Sequence, residues 1–444
     1  MRIRLIKKLL LIFIVLLPFW SLPYIVKLNL FLRLPYTVEL ADYLFGLIFI
    51  LSIPEIIRQR KVLLKDRYFW LCAAIIIYLI FNAILSTDFH ISVYKLAGKS
   101  YLLSIPLIFT LYFKGGDDIK NFLKYFCFSF FTVTLLGLLA IILYYLMIPN
   151  PLVGYVGDMP ESWNLPRLYI FFTSPSLLAV FLMTGGLLSY YCLTNKIYDK
   201  LILRASLAMG FITLLFTFSR NTWSFLPALG IMLFYKNSLF GNGWSFAKLF
   251  SSVAYLGYTI ITLILVLLST YFYIFPLYIA KQDLGTHLSA KAIGSGSFAE
   301  KQGYVDIKWL GVNAKWHNRT IESYDAWKAF LSHPVKGIGV GVFPSHGYFG
   351  TSVARDPHNT LLTILSQLGL LGLGLSILFL FILCLRLRSI IYSPNRELAR
   401  IMFAVISVFV FSAIFTDLDD NRYLFLYIAL INLLYYNMHS SDTR

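Results

Sequence analysis

Long runs of residues without a single charge dominate the chain. Residues 125–157, 168–195, 249–280 and 401–416 contain no Asp, Glu, Lys or Arg. Because these runs are continuous and do not alternate with a period of two, they predict membrane-spanning helices and not barrel strands. The sequence therefore predicts an all-α polytopic membrane protein with about twelve transmembrane helices. The other eight apolar stretches lie near residues 9–26, 36–57, 68–87, 93–113, 205–219, 221–235, 359–385 and 423–438.

The composition excludes a soluble globular protein. Of the 444 residues, 59% are hydrophobic and only 13% are charged, whereas soluble domains carry roughly 25% charged residues. The net charge of +17 is, by itself, a signal for an anionic partner such as a nucleic acid or an anionic surface. All four cysteines fall in predicted spans, so the sequence offers neither a disulfide framework nor a zinc site.

The distribution of Lys and Arg accounts for most of that net charge. Along the predicted threading, twenty-two basic residues lie in the connections on the side of the N-terminus, against seven in the short connections on the other side. Cytoplasmic loops carry such an excess. We therefore expect twelve spans with both termini in the cytoplasm, and these charges orient helices in a lipid bilayer without indicating a nucleic-acid partner.

One polar loop interrupts the spans on the outer side. It covers residues 280–358 of what we interpret as a single integral membrane domain, 1–444, and it contains five of the seven histidines. Apolar residues recur at helical spacing from Arg319 to Leu331, which predicts a helix lying on the membrane surface. After this helix, prolines and glycines break the pattern. We expect Asp356 to cap the next membrane helix, with Pro357 in its first turn.

Three polar features at the outer boundary are candidates for chemistry. Arg220 has fifteen uncharged residues on each side, a helical rise of only about 24 Å, so it should lie below the outer surface and need an anion there. The alternative is that the Arg220 side chain snorkels to the membrane surface and its guanidinium contacts phospholipid phosphates. His358 can exchange a proton near neutral pH or simply form a loop hydrogen bond. The Asp417–Asp420 turn is either a solvated turn or a place for a divalent cation.

Further arginines lie on the same predicted side. Arg167 begins the sixth span and Arg319 begins the surface helix. If they converge with Arg220, their planar guanidinium groups suit a doubly charged phosphate, which they bind in a bidentate manner. No Walker or Rossmann glycine pattern, the usual sign of a nucleotide-phosphate site, accompanies them.

The order of these motifs resembles the O-antigen ligase and polymerase superfamily of bacterial polyprenyl-linked glycan transferases. The resemblance covers roughly residues 165–420 and is most specific from Arg319 to Gly372. Two positions depart from it, since Ile170 stands where members often have glycine and Ser176 where they often have asparagine. The motifs that carry the resemblance are Arg167-Leu168, Thr173-Ser174-Pro175-Ser176, Thr217-Phe218-Ser219-Arg220, Arg319 with Trp327, Ser332-His333-Pro334-Val335-Lys336-Gly337-Ile338-Gly339, Pro357-His358-Asn359-Thr360-Leu361-Leu362 and Gly369-Leu370-Leu371-Gly372.

The resemblance implies a GT-C-like glycosyltransferase of the bacterial inner membrane with a periplasmic active site. Its donor would be a glycan on undecaprenyl pyrophosphate, and its acceptor another glycan or the lipid A core. Arg220 and Arg319, with Arg167, would hold the pyrophosphate. His358 would activate the acceptor hydroxyl, with Asp417 and Asn359 in support. The expected reaction inverts the anomeric carbon and needs no metal or cofactor.

Several functions share these features. An O-antigen ligase acting on lipid A core oligosaccharide leads. A repeat-unit polymerase and a transferase to protein serine or threonine differ from it only in the acceptor. A transporter of the lipid-linked glycan should instead place its charges near the bilayer midplane, within broken helices related by a repeat. A purely structural membrane protein would leave the long histidine-bearing loop without a purpose.

Overall fold

A computed structural model of the protein describes most of the chain. The segment from 223 to 304 lies outside the described residues; it includes the predicted span 249–280, most of the predicted span 221–235 and the first part of the large loop. The described residues are 2–19, 40–148, 152–155, 166–172, 174–217, 219, 221–222, 305–309, 312–316, 318–342, 357–414, 416–418 and 421–441.

The described part of the chain is predominantly α-helical, which confirms the fold class in its general form. Ten of the twelve predicted spans contain a helix. Of the other two, 249–280 lies outside the described residues, and only residues 221 and 222 of 221–235 are described. Among the described helices, five are long and apolar enough to cross a membrane: α2, α4, α6, α7 and α10. The helices are α1 Arg2–Leu16, α2 Leu40–Arg58, α3 Arg60–Leu63, α4 Arg67–Ile84, α5 Phe89–Tyr112, α6 Gly116–Tyr145, α7 Pro175–Thr194, α8 Lys200–Leu215, α9 Asn318–Ser332, α10 Thr360–Ile391, α11 Arg396–Ser412 and α12 Arg422–Ser441.

Two short antiparallel hairpins accompany the helices and were not predicted. Strand β1, Val153–Tyr155, pairs with β2, Pro166–Leu168, and β3, Val305–Trp309, pairs with β4, Val312–Trp316. The second hairpin lies in the large loop, where apolar residues alternate over 305–309 and over 312–316. That alternation is a strand signal, so periodicity alone could have predicted this hairpin.

Short polar residues define where the helices begin. Each accepts a hydrogen bond from a backbone N–H two or three residues later, which satisfies a donor that the helix itself leaves open. Asn359 caps α10 through Leu362 N at 3.0 Å, so the expected cap at Asp356 with Pro357 in the first turn is wrong. Pro357 precedes the cap, and α10 begins at Thr360. The other such residues are Asp66, Asp88, Ser174 and Asp199.

Ion pairs and polar contacts join helix ends into two groups. At one end, Lys7 Nζ of α1 donates to both Asp118 carboxylate oxygens of α6, at 2.8 and 2.9 Å. At the opposite end, the Arg422 guanidinium of α12 forms a bidentate pair with Asp42 of α2, at 2.7 and 2.9 Å. Each contact joins residues that the predicted threading places on the same side of the membrane. We name these the inner end and the outer end, after that threading.

Helix α10 is longer than predicted and is broken. It runs to Ile391, six residues beyond the predicted span, so Arg386 and Arg388 are helical and not in a loop. Gly369 interrupts it with a φ of +63°, a conformation that glycine adopts without steric cost. The part after the break is about 33 Å long at 1.5 Å per residue, enough for one crossing. Residues 360–368 form a separate outer piece.

The return segment, residues 333–342, leads from α9 back into the bundle. The predicted helix over 319–331 is confirmed as α9, and its position on the membrane surface stays a prediction. The return segment then runs between α4, α5 and the break in α10. Three of its glycines have positive φ, and a Cβ added to any of them would lie within 2.3 Å of a neighbouring atom. This close packing explains why the segment is rich in glycine. The three glycines are Gly337, Gly339 and Gly341.

Gly341→Ala should therefore destabilise the protein. Its φ is +75° and the new Cβ would lie 2.0 Å from Lys95 Cγ. We expect a loss of about 1–2 kcal/mol, the cost of a left-handed conformation for an L-residue, since the flexible Lys95 side chain can shift aside. The control is Gly374→Ala, where nothing lies within 4 Å. Thermal unfolding in detergent measures both, and equal midpoints would contradict the prediction.

Candidate functional site

Arg167 lies beside the end of α8. Leu168 N donates to Phe216 O at 2.9 Å, and Arg167 Nε donates to Thr217 O at 3.4 Å. These contacts attach strand β2 to the residues that precede Arg220. Arg220 itself lies outside the described residues, as does the side chain of Arg319, although the backbone of Arg319 forms the second residue of α9.

The start of α7 meets the residues on both sides of Arg220. Ser219 Oγ lies 3.3 Å from Ser176 Oγ, and Asn221 Nδ2 donates to Ser176 O at 3.5 Å. Two motifs that are more than forty residues apart in the sequence are therefore adjacent in the fold. At Ser176, one of the two departures from the resemblance, the hydroxyl and the backbone carbonyl supply these partners.

Ile170, the second departure, has an uncommon backbone conformation. Its φ is +51°, in the left-handed region that glycine adopts without steric cost and that β-branched residues rarely adopt. The side chain is only 2% exposed. Burial of an isoleucine side chain stabilises by about 1.5–3 kcal/mol, which offsets the left-handed cost of about 1–2 kcal/mol. The residue can thus occupy a position whose backbone favours glycine.

His358 and Asn359 lie directly before α10, against the turn that follows α11. Thr360 N donates to Ala413 O at 2.9 Å, and Asn359 Nδ2 donates to Ile414 O at 3.1 Å. Asp417 Oδ2 accepts a hydrogen bond from Thr363 Oγ1 at 3.2 Å. We name residues 357–363 together with 413–418 the His358 site. Three of the six candidate residues, His358, Asn359 and Asp417, are brought together there.

His358 is strained and accessible. Its φ is +51°, and its side chain is exposed. A non-glycine residue in this conformation costs on the order of 1–3 kcal/mol, and such residues cluster at functional sites. The neighbouring hydrogen bonds of Asn359 and Thr360 hold the backbone on the C-terminal side of the ring. The arrangement presents an imidazole at the outer end, where a hydroxyl group can approach it.

An aromatic contact links the Arg167 segment to the His358 site. The rings of Phe172 and Tyr423 stack with centroids 6.0 Å apart. Tyr423 is the second residue of α12, and Asn421 N, just before that helix, donates to Leu418 O at 3.0 Å. The segments that carry Arg167 and Asp417 thus converge on the start of α12. The guanidinium of Arg422 at the same place pairs with Asp42, a partner that the sequence did not reveal.

No group of three or more His, Cys, Asp or Glu side chains that could hold a metal ion occurs among the described residues. Asp419 and Asp420 of the predicted acidic turn lie outside them. Within the described part of that turn, the Asp417 carboxylate accepts a hydrogen bond from Thr363. The described side chains of the His358 site include an imidazole, a carboxylate and a carboxamide.

Asp325 is a buried acidic residue that the sequence did not single out. It lies on α9 and is 9% exposed. Burial raises the pKa of its carboxyl group, and the nearby Lys328 lowers it in part. On a helix with apolar residues at helical spacing, the sequence does not distinguish a buried Asp from one on the solvated face. Asn82 and Gln367, which hold the return segment, were missed for a similar reason, since both lie inside apolar spans.

Comparison with known proteins gives no family assignment. No family model matches the chain, and neither does any curated protein.

Proposed function

We propose that the protein is an integral membrane glycosyltransferase that moves a glycan from undecaprenyl pyrophosphate to an acceptor hydroxyl on the outer face of the bacterial inner membrane. The observation that carries the proposal is the His358 site at the outer end, where a strained, exposed histidine directly precedes the helix whose Thr363 hydroxyl donates to the Asp417 carboxylate. Arg167 and the segment leading to Arg220 lie at that same end.

The reaction needs a base on one side and cations on the other. The acceptor oxygen attacks the anomeric carbon and its proton passes to His358, while the bond from that carbon to the pyrophosphate oxygen breaks. Arg220 and Arg319, with Arg167, neutralise the charge that develops on the leaving undecaprenyl pyrophosphate, without a metal. One direct displacement inverts the anomeric carbon. Asn359 and Asp417 attach the start of α10, directly after His358, to the turn that follows α11.

Among acceptors, we propose the lipid A core oligosaccharide, which makes the protein an O-antigen ligase. A repeat-unit polymerase has the same chemistry with a lipid-linked repeat as acceptor. Transport of the lipid-linked glycan is less well supported. The arginine that is buried among the described spans, Arg386, pairs with Asp66 at the inner end and not near the centre of the bundle.

Deletion of the gene, followed by electrophoresis of the surface polysaccharides, tests the proposal. A ligase predicts that all capped lipopolysaccharide disappears and that long lipid-linked chains accumulate. Lipopolysaccharide with a single repeat would identify a polymerase. Unchanged surface glycan would contradict both transferase assignments.

Arg220→Lys should slow glycan transfer by about 10- to 100-fold, the factor for loss of one charge-assisted hydrogen bond. Lysine keeps the positive charge but lacks the planar fork that binds two phosphate oxygens. The matched control is Arg204→Lys, in the first turns of α8 and exposed, which should transfer normally. Transfer is measured per amount of folded protein. Full activity of Arg220→Lys would exclude a bidentate phosphate contact.

A further inference from the structure

Asn82, at the outer end of α4, joins three segments of the chain through one buried carboxamide. It is 3% exposed. Its Nδ2 donates to Lys336 O of the return segment at 2.6 Å and to Gln367 O of α10 at 3.2 Å. Its Oδ1 accepts from Val340 N at 2.6 Å. Both amide hydrogens and the carbonyl are therefore in use.

The break in α10 provides the backbone groups that the return segment uses. Gly369 leaves Ser366 O and Gln367 O without their ordinary helical donors, and these oxygens accept from Ile338 N at 2.9 Å and Gly339 N at 3.1 Å. In the other direction, two α10 amides donate to return-segment carbonyls. They are Leu370 N to Pro334 O at 2.9 Å and Leu371 N to Val335 O at 3.3 Å.

The side chain of Gln367 completes this arrangement. Its Oε1 accepts from Gly341 N at 2.8 Å, and the residue is 3% exposed. Irregular backbone at membrane depth persists only where protein groups satisfy it. Asn82 and Gln367 supply those groups from two different helices, so the position of the return segment is determined and not adjustable.

The return segment continues directly from α9 and so determines where that helix lies. His333 N donates to Ala329 O at 3.2 Å, and Gly337 N donates to His333 O at 2.8 Å, which makes the junction continuous. Arg319 lies at the far end of α9, about 20 Å away at 1.5 Å per residue. The outer piece of α10 leads from the same break to His358.

We propose that Asn82 is a positioning residue that holds α9, and with it Arg319, in a set position relative to His358. The inference rests on the proposed function, because it takes Arg319 to bind the pyrophosphate of the donor. Asn82 itself touches no substrate. Its effect is transmitted through the return segment to α9 and through Gln367 to the outer piece of α10.

Asn82→Asp tests the role, because it keeps the shape and the acceptor but removes the donor that binds Lys336 O and Gln367 O. Hydrogen exchange should become at least about tenfold faster at amides 338–341, the factor for loss of one buried hydrogen bond. Binding of farnesyl pyrophosphate, a short soluble polyprenyl pyrophosphate, should weaken about tenfold, as when a charged contact is displaced. The matched control is Asn395→Asp at the inner end, which should change neither quantity.

Gln367→Met provides a second variant in case Asn82→Asp does not fold. It removes the side-chain carboxamide, and with it the acceptor of Gly341 N, but leaves the carboxamide of Asn82 in place, so both quantities should change in the same direction by a smaller factor. Because a dissociation constant does not depend on the fraction of folded protein, a purely structural role would leave it unchanged. Faster exchange with unchanged binding would overturn the positioning role and leave the proposed function intact. Failure of the wild-type protein to bind the probe would overturn both.

Discussion

The His358→Ala protein is expected to insert and fold like the wild type, yet to transfer glycan about 100-fold to 10,000-fold more slowly. A positioned general base contributes that factor to catalysis. Because the ring is exposed, its removal creates no cavity. The backbone around it is held by Asn359 and Thr360, so the site keeps its shape. The initial transfer rate per folded protein, from a lipid-linked donor in detergent, is the measurement.

His333→Ala is the matched control for this experiment. His333 is the first residue of the return segment and is half-buried. Its Nδ1 lies 2.9 Å from Oγ of the neighbouring Ser332. It should retain nearly normal transfer. A similar loss in both variants would indicate a structural effect, and nearly normal transfer by His358→Ala would exclude it as the base. A variant that binds farnesyl pyrophosphate normally but does not transfer would separate the base from the phosphate-binding residues.

Local patterns in the sequence predicted much of what the structure describes. The helix over 319–331 followed from the recurrence of apolar residues, and the structure has it at Asn318–Ser332. It ends at Ser332, directly before His333 and Pro334, in agreement with the break expected at Pro334 and the glycines that follow. The alternation of basic connections predicted which helix ends lie together, in agreement with the Lys7–Asp118 and Arg422–Asp42 pairs. Each of these predictions needs only a pattern within a few residues or a count of basic residues in the connections.

Contacts between distant residues were beyond such patterns. Asn82 bonds to a carbonyl 254 residues further on, and nothing near Asn82 in the sequence marks it as different from any polar residue in a span. The break at Gly369 could not be predicted for the same reason. Glycine is common in membrane helices, and the hydrogen bonds that accompany this break come from the return segment, which is distant in sequence. The cap at Asn359 was displaced from Asp356 because His358 takes a left-handed conformation.

Arg386 shows how a positive-inside count can hide a specific role. The count placed Arg386 among the basic residues of the inner connections. In the structure it lies within α10, and only 5% of the residue is exposed. Its Nη2 donates to Asp66 at the start of α4, and its Nη1 donates to Asn432 of α12 at 2.6 Å. The guanidinium also lies over the rings of Tyr68 and Tyr435, at 5.1 and 4.8 Å from their centroids. It thus connects three helices at the inner end.

Arg386→Met should lower the free energy of unfolding by about 3–5 kcal/mol, because it leaves the Asp66 carboxylate buried without its cation. That is a large part of the roughly 5–15 kcal/mol that stabilises a typical protein. Thermal unfolding in detergent measures the change. Arg388→Met is the control: two residues away on the same helix, it is exposed and should unfold like the wild type.

The double variant Arg386→Met with Asp66→Asn separates two contributions to that loss: the unpaired charge of Asp66 and the lost packing of the guanidinium. Asparagine still caps α4 but carries no charge, so the penalty for a buried unpaired carboxylate disappears. Since replacement of a whole buried pair is often neutral, we expect the double variant to recover most of the stability that the single variant loses. If it were as unstable as Arg386→Met alone, the loss would come from the packing of the guanidinium between the tyrosine rings and not from the charge of Asp66.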